Sequence, residues 1–97
     1  MAKAKYYTLM SGLRGCYMPD SVYVLKCTSR RELKAIVRDE CEHVEKRPSQ
    51  RAIASYVAEV WRRNDLFYPL VLSTGEGYGL HLSNATRREY EDFINAD

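Results

Sequence analysis

The stretch from Ser49 to Asn64 does most to limit what this chain can fold into. Ile53, Tyr56, Val57, Val60 and Trp61 recur at i, i+3, i+4, i+7 and i+8, the spacing that gathers apolar side chains on one face of a helix. Pro48 presets a backbone angle and Ser49 offers a hydroxyl to an unpaired N–H, so the helix begins there. Arg51, Ser55, Glu59, Arg62 and Arg63 occupy the other face. A helix with one apolar stripe is stable only when a second layer covers it, and the flanking sequence supplies strands for that layer.

Lys5–Met10 alternates Tyr6, Thr8 and Met10 with Tyr7 and Leu9, the two-residue period of a strand. Gly12 and Gly15 break it. Val22–Cys27 is a second strand, β-branched and aromatic. Ser29-Arg30-Arg31-Glu32 has capping-box spacing, and Leu33, Ile36, Val37, Cys41 and Val44 form a stripe behind it, so a first helix runs from Arg30 to Lys46. Arg47, which precedes a proline, ends it. Leu66–Ser73 is a third strand, placed by Pro69 at an edge or given an irregular start. After the turn Thr74–Gly77 comes a fourth strand, Tyr78–Leu82, and then a helix capped by Ser83 or Asn84 and reaching Asn95, with a narrow face of Tyr90, Phe93 and Ile94.

The order is ββααββα. It predicts an α+β fold in which an antiparallel four-stranded sheet is covered on one face by three helices. Thr28–Leu33 also resembles Ala85–Tyr90, and Ile36-Val37 aligns with Phe93-Ile94. This is either a ββα pseudo-repeat or a common helix start that arose twice.

Ninety-seven residues make one domain, residues 1–97. With 45% apolar and 29% charged residues the chain is a folded one. A net charge of +2 is too small to argue for nucleic acid by itself. The longest apolar run, Val22–Leu25, falls far short of the ~20 residues a membrane span needs, and Met1–Lys5 does not read as a signal peptide; a cytoplasmic protein is expected. The three cysteines, Cys16, Cys27 and Cys41, form no disulfide framework, and whether Cys16 and Cys27 meet across a hairpin stays open.

Catalytic chemistry has little to build on. Cys41 and His43 are two apart and diverge on a helix, so neither a metal nor a cofactor is expected. Gly75-Glu76-Gly77-Tyr78-Gly79 joins strand to strand, whereas phosphate-binding glycine loops feed a helix. No serine or cysteine is placed as an activated nucleophile, and no carboxylates are paired for acid–base work. A non-enzymatic interaction module is the expectation.

Its contacts with a partner protein are expected from Leu13, Arg14, Tyr17, Met18 and Tyr23 and from the acidic run Asp39, Glu40, Glu42 and Glu45. The alternative is nucleic acid. Arg30-Arg31 and Arg87-Arg88 each lie in the first turn of a helix, where the dipole disfavours cations and suits an anion; Lys34 and Arg38 extend the first pair. Against this, Glu32 and Glu89 sit where they can neutralise the arginines. A homodimer formed through a sheet edge or face is also open.

Tyr6-Tyr7-Thr8-Leu9, the loop Gly15-Cys16-Tyr17-Met18-Pro19 and the compact helices behind capping-box starts resemble, in general character, small phage or mobile-element accessory proteins, anti-CRISPR inhibitors among them. The resemblance implies a stoichiometric binder without cofactors that blocks the working surface of a host protein.

Overall fold

The computed structural model describes residues 3–13, 21–42, 46–75 and 78–96. The elements are β1 (Lys5–Leu13), β2 (Ser21–Cys27), α1 (Arg30–Cys41), α2 (Gln50–Arg62), β3 (Leu70–Gly75), β4 (Tyr78–Asn84) and α3 (Arg87–Ile94). This is the α+β order expected from the sequence. All strand pairs are antiparallel, in the order β2-β1-β4-β3. The two hairpins therefore join through their inner strands, β1 and β4.

Each helix starts on a hydroxyl. Ser29 Oγ accepts from the Glu32 N–H at 3.2 Å and Ser49 Oγ from the Ala52 N–H at 3.1 Å. At α3 the cap is Thr86, not Ser83 or Asn84. β4 runs on to Asn84, and Thr86 makes a full reciprocal box with Glu89. At α1 only half of the box forms, because the Glu32 carboxylate takes the Thr28 hydroxyl instead. The α1 helix also stops at Cys41, short of Lys46, with Glu42 as its cap.

The core lies between the sheet and α1–α2. Tyr7, Leu9, Cys27, Leu72, Leu80 and Leu82 meet Leu33, Val37 and Cys41 of α1 and Ile53, Tyr56, Val57 and Val60 of α2. Trp61 packs at its margin, 6.3 Å from the Tyr7 ring. Tyr56 ties the layers together. Its hydroxyl donates to the Leu70 carbonyl at 2.6 Å and accepts the Leu82 N–H at 3.2 Å, and Leu70 and Leu82 are register partners across β3 and β4.

The third helix is not on this side. Tyr6 alternates with buried Tyr7 and so faces away from α1 and α2; its ring lies 5.5 Å from that of Tyr90 in α3. The helices thus divide between the two faces, α1 and α2 on one and α3 over one end of the other. The ββα order recurs without equivalent placement: the first strand is central in one unit and at the edge in the other. A helix with three apolar residues covers only part of a sheet face, and Phe93 and Ile94 remain exposed.

On that second face Gly79 stands opposite Ser73, where the β3–β4 register shifts. A Cβ at Gly79 would lie 2.8 Å from Val71 Cγ1 and 3.3 Å from the Leu72 carbonyl oxygen. Gly79→Ala is therefore expected to lower unfolding free energy by about 1–3 kcal/mol through overpacking. Urea denaturation checks this; a variant as stable as the parent would mean that β3 shifts freely.

Candidate interaction surfaces

Two surfaces stand out, on different parts of the molecule. The first is an open groove between α1 and α2, with a cavity volume of about 680 Å³. Arg30, Arg31, Lys34 and Arg38 of α1 form one wall; Ala54, Val57 and Ala58 of α2 form the other. The sequence places the cations there because 30, 34 and 38 are four apart and share a face. The short side chains of α2 leave the space unfilled. Past Arg30 the groove continues along Ser55, Glu59, Trp61 and Arg62.

The four α1 cations have no acidic partner among the described residues. The ion pairs there are Arg47–Glu42, Arg62–Glu59, Arg63–Asp65 and Arg87–Glu91. Glu32 and Glu89 form no ion pair with these arginines: the Glu32 carboxylate accepts from the Thr28 hydroxyl and that of Glu89 from the Thr86 N–H. Glu59, the one acid along the groove among the described residues, is held by Arg62 at 2.7 Å, and this hydrogen bond keeps its carboxyl below the usual range. Arg87 does not join the set: it pairs with Glu91 at 2.9 Å, on the helix that covers the other sheet face. Arg88, its exposed neighbour, lines neither the groove nor its continuation. The two arginine pairs are therefore not equivalent.

The second surface is the connection between α2 and β3. The sequence pattern starts the third strand at Leu66; the strand begins at Leu70 instead. Leu66 is buried, its N–H donates to Asn84 Oδ1 at 2.7 Å, and its carbonyl accepts the Asn84 N–H at 3.0 Å. Arg63 forks onto Asp65, and the Phe67 N–H donates to the Asp65 carbonyl at 2.9 Å. That fork keeps the Asp65 carboxyl below its ordinary range. On this fastened backbone the side chains of Phe67 and Tyr68 stand in solvent, 86% and 88% exposed. Sequence reasoning missed both. Pro69 was the signal, since a proline after two aromatics marks a chain not yet in the ladder.

Of the contacts expected for a partner protein, Tyr23 is exposed on edge strand β2. Asp39, Glu40 and Glu42 lie at the C-terminal end of α1, with Glu42 paired to Arg47. Leu13 closes β1. Arg14, Tyr17, Met18 and Glu45, like Cys16, fall outside the described residues. Cys27 and Cys41 are buried free thiols, and burial pushes the Cys27 thiol up to about 11. Among the described residues no three His, Cys, Asp or Glu side chains gather to hold a metal, and no helix is long and apolar enough to cross a membrane. No protein family, curated protein or solved structure matches the chain.

Proposed function

We propose that this chain is a small non-enzymatic interaction module that docks on a partner protein and blocks it, in the manner of phage accessory proteins of the anti-CRISPR type. The observation that carries this reading is the Phe67–Tyr68 pair. Two large aromatic side chains stand in water on a backbone fixed by Asn84, Asp65 and the buried Leu66. Exposed aromatics of this kind gain most from being covered, and a fixed backbone removes the ordering cost that a floppy loop meets on binding. Aromatic anchors of this sort dominate protein interfaces. Tyr23, on the opposite edge strand from β3, is no part of this anchor's rim.

The test compares proteins retained from a host lysate by the parent chain, by Phe67→Ala/Tyr68→Ala and by Arg87→Ala/Arg88→Ala. One protein retained by the parent and the arginine variant but lost with the aromatic variant is the expected result. Purified, it should bind the aromatic variant about 30- to 1,000-fold more weakly, the range for losing a hot spot of about 2–4 kcal/mol. Retention that ignores the aromatic substitutions, or no retained protein at all, overturns the proposal.

A further inference from the structure

We infer that the α1–α2 groove seats the phosphate backbone of a nucleic-acid duplex. It shares no lining residue with the Phe67–Tyr68 anchor, so the two proposals stand or fall separately. Arg30, Lys34 and Arg38 repeat every four residues, about 6 Å apart along the helix axis, with Arg31 beside them. This gives a row of cations along one wall, and among the described residues no acid lines the groove between them. At the Arg30 end the α1 N-terminus adds its own partial positive charge to the row.

The opposite wall argues for a backbone ligand. Ala54, Val57 and Ala58 present little bulk and no hydrogen-bonding side chain, so the sugar–phosphate chain can come close and nothing reads a base edge. Single-strand binding grooves stack bases on aromatic rings. Among the described residues the only aromatic one along this groove is Trp61, and Lys5 lies over its ring at 4.6 Å while also donating to its carbonyl. The chemistry on offer is charge at regular spacing, which suits the phosphates of a duplex. An acidic peptide is the competing class of polyanion, and the test separates the two.

The experiment is fluorescence anisotropy of the full chain with a labelled DNA duplex, the matching RNA duplex, the single strand and a poly-glutamate peptide. Duplex affinity should fall with a log–log salt slope of about −3.6 for four phosphate contacts, about a 100-fold loss between about 50 and 200 mM salt. Arg38→Ala should make the slope shallower by about 0.9, and Arg31→Ala/Lys34→Ala/Arg38→Ala should abolish binding at the higher salt. Arg87→Ala/Arg88→Ala should leave the slope unchanged, although it removes as much charge as any two groove substitutions. Preference of the DNA or the RNA duplex over the other identifies the nucleic acid. The proposal is overturned by no duplex binding at low salt, by equal binding of poly-glutamate or the single strand, or by an equal loss from the Arg87/Arg88 variant.

Discussion

Tyr56→Phe is expected to lower the unfolding free energy by about 2–3 kcal/mol with the fold retained. The ring stays in the core, so little apolar burial is lost. What goes is one oxygen that serves two strands. Its absence strands the Leu82 N–H, which is buried, and removes the donor to the Leu70 carbonyl. A buried polar group left without a partner costs about 1–3 kcal/mol, more than a hydrogen bond contributes on average. Against a total of about 5–15 kcal/mol this is a large fraction, equivalent to a melting temperature lower by about 10–20 °C. Urea unfolding reads the change directly; an unchanged m-value with a lower midpoint marks loss of stability and not of structure. A midpoint within error of the parent would mean that β3 and β4 close the gap between Leu70 and Leu82 unaided. The same hydroxyl explains why α2 holds the sheet together as well as covering it.

The sequence patterns that proved reliable were those with many residues voting for one period. The α2 stripe and its Ser49 cap reappear with the boundary moved by one or two residues, since Ser49 is the cap itself and α2 runs from Gln50 to Arg62. The alternation in β1 correctly separated Tyr7 and Leu9 from Tyr6, Thr8 and Met10. Local pattern failed where a choice rests on tertiary contact. Tyr90, Phe93 and Ile94 announce a helix face without saying which side of the sheet it meets. The run from Leu66 to Leu72 is apolar enough for one strand, yet Asn84, eighteen residues on, fastens Leu66 and turns Phe67 and Tyr68 outward. The groove was half legible: Arg30, Lys34 and Arg38 share a helix face in any register, but the low wall of Ala54 and Ala58 exists only once α1 and α2 are packed. The distinction between the arginine pairs is present in the sequence itself. Arg87 and Glu91 are four apart, the spacing at which opposite charges meet on a helix, whereas Lys34 and Arg38 are what stand four residues on from Arg30 and Lys34.

Alkali should unfold this protein through its core hydroxyls and thiols, with stability constant below about pH 9 as far as these groups are concerned and falling steeply above it. Burial raises Cys27 from 9.0 to about 11 and Tyr7 from 10.0 to about 12 in the folded chain. Burial also raises Tyr56, and its bond from the Leu82 N–H only partly offsets this. All three shifts have the same sign: the folded state holds its protons to higher pH than the unfolded state. Between the ordinary and raised values the unfolded chain therefore binds fewer protons, and stability drops as pH rises, by about 1.4 kcal/mol per unit for each group. Cys27 contributes from pH 9 to 10, together with Cys41, whose thiol burial also raises from its ordinary value. Cys27, Tyr7 and Tyr56 together act from 10 to 11, giving about 4 kcal/mol per unit before any share from Cys41, and the two tyrosines continue to pH 12. A domain of ordinary stability runs out between about pH 11 and 12. Urea midpoints taken across pH 8–12 follow the curve, and variants assign its limbs. Cys27→Ala should make the section from pH 9 to 10 shallower, leaving the part that Cys41 supplies. Tyr7→Phe is the most telling, because the Tyr7 hydroxyl is buried without a hydrogen-bond partner among the described residues. Its removal should leave neutral-pH stability unchanged or raised while taking about 1.4 kcal/mol per unit out of the alkaline slope. Stability that stays level to pH 11, or a Tyr7→Phe slope equal to the parent's, would show that water reaches these groups in the folded chain.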